Sequence, residues 1–312
     1  MPADRTLPQP TSRTRREAQK KPSRWFPWTS LLLVSGLFFG VYVVLDAPRE
    51  IGRWHLAAAN EHWTEAEYAA LQGDKARAAE NRDKAFAKME DALKWSPEEP
   101  KWLLQRAQWK LDAFRGEAAL YEVNALIAKN GEAVGPLELR ALISQKLGKH
   151  GDAVKDLETV NNISKVSGDP PRATALNSLA YARAIGRIEL DSALKEISEA
   201  LKSDGNYALL DTRGFIYYRQ GKYDLAMKDL DPAAVRAEQT LALFRQHIAK
   251  HVRNVPDVRN DQLNEKKIAR DVAVVLYHRS LAHDKLHHTA AAQRDRKRVR
   301  ELIGREGDEK LF

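Results

Sequence analysis

The chain has 312 residues, 43% apolar and 30% charged, with a formal net charge of +8 and no cysteine. That balance excludes wholesale disorder, and the missing thiol excludes disulfide frameworks, thiolate zinc sites and cysteine catalysis. The positive charge is no argument for nucleic acid, because residues 1–24 hold seven basic groups against two acidic ones and the other 288 residues carry only +3.

After this basic tail, Trp25 to Leu45 is a run of 21 residues without a formal charge, which as a helix would reach about 31 Å against a hydrocarbon core of about 30 Å. Eleven of the fifteen residues from Leu31 to Leu45 are Leu, Val or Phe, together favouring insertion by about 4 kcal/mol. Trp25, Trp28 and Tyr42 fall where amphipathic rings sit at an interface, and Pro27 lies in the first turn, where a missing amide proton costs nothing. A buried core helix and a cleaved signal peptide compete with this reading, but Leu45 and Ala47 make a poor cleavage site. The expectation is therefore a single-pass membrane anchor over 25–47, preceded by a disordered cytoplasmic tail over 1–24. Seven basic residues before the span outnumber Arg49 and Arg53 after it, so the positive-inside rule keeps the N-terminus cytoplasmic and puts the rest outside, periplasmic in a bacterium. Gly36-x-x-x-Gly40 leaves open a weak homodimer through the span.

Beyond Pro48 apolar residues recur at three- and four-residue spacings, and no stretch alternates as a strand does. Arg140 to Glu158, "RALISQKLGKHGDAVKDLE", and Arg213 to Asp231, "RGFIYYRQGKYDLAMKDLD", share eight identities without a gap, 73 residues apart. Gly214 and Ala226 stand twelve apart across a Gly221-Lys222 turn, which predicts two antiparallel helices crossing so closely that a larger side chain would part them.

The pattern resembles the 34-residue tetratricopeptide repeat (TPR). Leu210, Gly214, Tyr217, Gly221, Tyr223, Ala226 and Leu230 fall on its positions in order. So do Leu176, Leu179, Ala180, Ala193, Ile197, Ala200 and Leu201, with one extra residue in the turn, and Leu137, Ala141, Gly148, Ala153 and Leu157. Weaker units begin near Pro100 and, near the C-terminus, around Leu276, Ser280 and Ala292, while Ala85, Met89, Ala92 and Pro97 fit a second helix and its stop. The resemblance implies an all-α helix-turn-helix solenoid, a right-handed superhelix, with a degraded first hairpin over 48–99 and repeats over 100–236. An extra helix, a loop, a last repeat and a capping helix are expected over 237–312. Two irregularities are expected: a loop at Asn161–Arg172, and a new helix opened by Asp231 as cap and Pro232 at its first position, with a polar loop around Asn254–Asp261 after it.

Chemistry is sparse. His247 with His251, and His283 with His287, have the four-residue spacing of zinc ligands, yet neither pair has the intervening glutamate or a third ligand, so no metal is expected. No phosphate-cradling glycine motif occurs, so no cofactor is expected either. The basic run Gln293–Leu302 reads as the solvated face of a capping helix, with lipid headgroup contact as the alternative. The TPR resemblance implies that first helices line a concave groove and that Asn177, Tyr181, Asp211, Phe215, Tyr218 and Arg219 face it. Rings flanked by an acid, an amide and an arginine would suit a peptide, although Phe215 and Tyr181 could equally complete the core between repeats. The function expected is a membrane-anchored, non-enzymatic scaffold for another protein. The rivals are an accessory or degenerate envelope enzyme with substrate in the groove, and a structural oligomer built on the span.

Overall fold

The structure, a computed structural model, describes residues 47–166, 172–203, 205–251 and 258–308. The tail and all of the expected span except Ala47 lie outside these residues, as do parts of both expected loops. The chain divides at Pro48 into two units, and the described helices belong to the second, save that the first of them starts two residues earlier, at Ala47. Among the described residues no helix is long and apolar enough to cross a membrane.

The described residues form helices joined by short turns into six successive hairpins. They are α1 (Ala47–Leu71) with α2 (Lys75–Trp95), α3 (Pro100–Asp112) with α4 (Gly116–Asn130), and α5 (Val134–Lys146) with α6 (His150–Val166). After these come α7 (Ala173–Gly186) with α8 (Leu190–Ser203), α9 (Tyr207–Arg219) with α10 (Tyr223–His251), and α11 (Arg259–Lys285) with α12 (Thr289–Ile303). First helices start at Pro100, Val134, Ala173 and Tyr207, so 34 residues separate the first two starts and the last two, the period expected. The fold is all-α and TPR-like on the strength of this register.

Each turn reverses direction through a residue in the left-handed region, two residues past the end of the first helix in every hairpin except α7–α8, where it comes one residue past. These are Gly73, Phe114, Gly148, Arg187, Gly221 and His287, with φ of 80°, 61°, 76°, 54°, 75° and 61°. Three are glycine, which adopts such angles freely, while Phe114, Arg187 and His287 hold them at a cost. The extra residue expected between α7 and α8 shows up as a second left-handed position, Glu189 at φ 43°.

The small residues sit at the crossings. Ala141, Ala153, Ala180, Ala193 and Ala226 are all buried. A Cβ added at Gly214 would lie 2.7 Å from Leu230 Cγ and 3.2 Å from the carbonyl oxygen of Ala226. The core passes from hairpin to hairpin as a chain of clusters: Trp63 stacked on Trp109 at 4.7 Å in the first, Val123, Leu137, Ile143 and Val160 in the next, then Ile197, Phe215 and Ile216.

A second recurring device ties the first helix to its partner in four of the six hairpins. Arg140 donates to Asp156 (2.8 and 2.6 Å), Arg213 to Asp229 (2.7 and 2.7 Å) and Arg279 to Asp295 (2.9 and 2.7 Å), each through two parallel hydrogen bonds. Arg106 meets Glu122 across the same sixteen-residue spacing. In α7 that position is Leu179, and Arg183 instead gathers Glu158, Glu189 and Glu196. Because the acid of each pair is nearly buried, the fork geometry of arginine matters as much as the charge.

Two expected breaks are absent. No helix begins at Asp231: α10 runs unbroken from Tyr223 to His251 with Pro232 inside it. Pro232 removes one helical hydrogen bond, a cost of about 3 kcal/mol. Burial of Ala233, Ala234, Ala237 and Leu241 against Val272, Ala273, Val275 and Leu276 of α11 offsets it. The separate helix expected from 237 is therefore the far half of α10. Likewise Asn161–Val166, expected as loop, are the last turns of α6, held by buried Val160 and Asn161.

Candidate functional site

Five of the six residues expected to line the groove come together around a residue the sequence did not single out, His278 of α11. Asp211 of α9 accepts from His278 Nδ1, which lies 3.0 Å from both carboxylate oxygens and therefore carries the proton. Phe215, one helical turn after Asp211, stacks on the His278 ring at 4.0 Å. Tyr181 of α7 tilts against both rings, at 6.1 Å from Phe215 and 6.0 Å from His278. Tyr218 stacks on Phe215 at 6.0 Å, and the Arg219 guanidinium lies 4.6 Å from the Phe215 centroid. Asn177 is half-buried on α7, one turn before Tyr181, with its amide oxygen enclosed and unbonded.

These positions divide in two. Asp211, Phe215 and His278 are 4%, 2% and 1% exposed, so Asp211 is not an open groove residue, contrary to expectation, and Phe215 takes the alternative place left open for it, in the core between repeats. They form the seam between α9 and α11, because α11 packs its Tyr277–Leu281 turn onto the face that the groove reading left open. Tyr181, Tyr218 and Arg219 are half-exposed at the rim of that seam, and Asn177 lies beside them. His278 had one sequence signal: Arg279 repeats the place of Arg213, which puts its neighbour on the inner face of a sixth first helix.

The N-terminal half of α11 has a second role. Arg259 donates to Glu61 at 2.8 Å and to Glu65 at 3.0 Å, both on α1. Further along, Lys267 and Arg270 face Glu67 of α1 and Asp112 at the end of α3, and Arg270 and Arg305 face Lys146 of α5. The helix thus carries a row of cations opposite acids on the first helices of the early hairpins. Confinement leaves its mark on the ionisation of these groups. Desolvation raises the Glu67 carboxyl against the pull of Lys267, and raises Asp112 against Arg270. Desolvation, reinforced by Arg270 and Arg305, lowers the Lys146 ammonium.

Of the two histidine pairs, only His283 and His287 have both side chains among the described residues. His283 does not pair with His287, which takes the left-handed turn position; its Nδ1 lies 3.3 Å from that of His288. His247 is exposed, and the side chain of His251 lies outside the described residues. Among the described residues no group of three or more His, Asp or Glu is placed to hold a metal. The basic run on α12 is largely matched within the fold: Arg298 with Glu238 at 2.8 Å, Arg300 with Glu306 at 2.7 Å, and Arg296 with Asp284. That pairing favours a solvated capping face over lipid contact for this helix.

No protein-family model matches the chain, and no curated protein does. Among solved structures, it is similar to a tetratricopeptide repeat protein from Parabacteroides merdae, at 13% identity and a TM-score of 0.43, over 80% of this chain and 98% of that one. It is similar to Naa15/Naa10 bound to HypK-THB, at 12% identity and a TM-score of 0.36, over 80% of this chain and 37% of that one. The third is the TPR domain of P58(IPK), at 14% identity and a TM-score of 0.23, over 81% and 95%. At these scores the fold assignment stands on the hairpin register of the chain itself.

Proposed function

We propose that the chain is a membrane-anchored scaffold that holds another protein against the partly exposed rim of its first helices and performs no catalysis. The observation that carries this reading is the half-exposed set Tyr181, Tyr218 and Arg219, fixed in place by the Asp211–His278–Phe215 seam. Tyrosine and arginine are the side chains most often found at the energetic centre of protein interfaces, and rings already locked by packing lose little entropy when a partner arrives. The anchor reading is carried by the apolar run Trp25–Leu45 and the basic residues before it. Confinement to a surface would raise the effective concentration of the rim for partners in the same membrane.

A photo-crosslinking side chain at position 218, in the full chain in native membranes, tests the scaffold. The expected result is one reproducible partner protein identified by mass spectrometry, lost when Tyr181 and Arg219 are replaced by alanine. The reading fails if position 218 yields nothing beyond what a crosslinker at Tyr121, exposed on α4, also yields.

A further inference from the structure

The basic run of α12 is matched by acids at Arg296, Arg298 and Arg300, but Arg294 is exposed and meets no acid among the described residues. Arg294 also borders a cavity. This is a trough of about 530 Å³ between α10 and α12, the second helices of the last two hairpins, with α11 as its floor. Buried Ala234 and Leu276 close its bottom, and Val235 forms a lip that is 54% exposed. The other charges on its walls are already answered. Arg279 is held by Asp295 and Arg298 by Glu238, each through two hydrogen bonds, and arginines whose heads are engaged offer their methylene stems to a neighbour. Gln239, exposed on the α10 wall and without a hydrogen-bonded partner among the described residues, adds one amide.

This arrangement specifies its occupant by what it leaves unmatched: one guanidinium, one carboxamide and an aliphatic lip. The arginine fork takes a carboxylate through two parallel hydrogen bonds, and the amide can donate or accept one more. The lip takes an aliphatic side chain. A free small acid fits poorly, because sites for such ligands cover about 70–90% of the ligand surface, whereas this trough stays open along Val235. A segment of another chain brings its own cover. We propose that the trough is a second docking surface, for an acidic amphipathic segment of a partner protein that sets an aliphatic side chain against Val235 and an Asp or Glu carboxylate on Arg294. The rim described above is built on the first helices α7 and α9, so the two surfaces share no residue.

A benzophenone side chain at position 235 of the full chain, irradiated in intact cells, tests this, with the captured molecule identified and any captured peptide sequenced by mass spectrometry. The expected product is one reproducible peptide that carries an acid beside an aliphatic residue. Arg294→Glu should lower its yield on the order of tenfold, and changing the captured acid to lysine should restore the yield in that variant. Because Arg294 is exposed, Arg294→Glu should unfold at the parental temperature; if it does not, Arg294→Gln takes its place and should lower the yield in the same direction. The proposal is overturned if position 235 yields nothing beyond a crosslinker at Tyr121, or if the yield ignores the charge at 294. A charge reversal in the partner that restores nothing also overturns it. Capture of lipid in place of peptide overturns it in favour of headgroup contact.

Discussion

Gly214→Ala adds a single methyl at the closest helix crossing, and the structure fixes what it meets. The new Cβ would lie 2.7 and 3.0 Å from two Leu230 carbons and 3.2 Å from a backbone oxygen of α10. Carbon pairs settle near 3.5–4.0 Å, so α9 and α10 must separate by up to about 1 Å or Leu230 must leave its rotamer. Leu230 is fully buried and has no space to enter. Overpacking of this kind costs about 1–3 kcal/mol, while replacing a mid-helix glycine by alanine returns about 1 kcal/mol. With a backbone oxygen among the obstacles the upper half of the cost applies, and the net loss is about 1–2 kcal/mol. Gly151, within α6, has nothing within 4 Å of its Cβ position, so Gly151→Ala should gain a few tenths of a kcal/mol. Urea unfolding monitored by far-UV circular dichroism measures both. Leu230→Ala alone should cost about 2–5 kcal/mol, and combined with Gly214→Ala it should cost less than the sum by about 1 kcal/mol, because the methyl fills vacated space. If Gly214→Ala matches or exceeds the stability of the parent, or the two changes simply add, the close-crossing account is wrong.

Phe114 is 95% exposed at φ 61° where three other hairpins use glycine, so Phe114→Gly should stabilise by about 0.5–1 kcal/mol, read as a Tm rise of about 2 °C. Pro232→Ala restores an amide that can donate to the Lys228 carbonyl and should add about 1–3 kcal/mol by urea midpoint; a loss would mean that α10 needs the proline to meet α11. Arg213→Met strands the nearly buried Asp229 carboxylate and should cost about 2–4 kcal/mol, whereas adding Asp229→Leu should recover most of it in the same assay. Glu67 holds its proton more tightly folded than unfolded, chiefly through desolvation, so its ionisation subtracts stability as pH rises above the ordinary carboxylate range. Glu67→Gln should therefore raise the urea midpoint at pH 7 and leave it unchanged at pH values low enough to protonate the parent; a lower midpoint at pH 7 would contradict this.

Much of the fold was legible because the determinants are local and repeated. The starts at Pro100, Val134, Ala173 and Tyr207 come from spacing and the turns at Gly148 and Gly221 from a glycine at a constant place, whereas Phe114, Arg187 and His287 carry no such letter. The arginine–acid pairs were in plain view among the identities of the two duplicated stretches, but a run of matched letters does not say that Arg213 and Asp229 touch. Pro232 misled because a local rule, proline at a helix start, was outweighed by burial between α10 and α11 that no short window contains. The site was legible only at its edges for the same reason: Asp211 and Phe215 were placed on the right helix face, yet their partner His278 lies 67 residues from Asp211 in the chain.

The same long-range packing constrains how a partner could use the inner face. The cation row of α11 meets α1 and α3 through groups that keep contact with water at Arg259 and Glu61 but are more enclosed at Glu67 and Asp112. Exposed pairs such as Arg259 with Glu61 are worth about 0–1 kcal/mol each, so the N-terminal half of α11 is held chiefly by burial of Leu263, Ala269 and Val272. The seam at His278 is different in kind. It is buried, the imidazole N–H serves both oxygens of the Asp211 carboxylate, and opening it would break that hydrogen bond and expose the Phe215 ring, the ring alone losing about 1.5–3 kcal/mol of burial. A ligand can therefore compete for the Arg259–Glu61 pair at little cost, but lifting either half of α11 would uncover apolar side chains. Any enlargement of the binding surface beyond the Tyr181–Tyr218–Arg219 rim has to repay that lost burial.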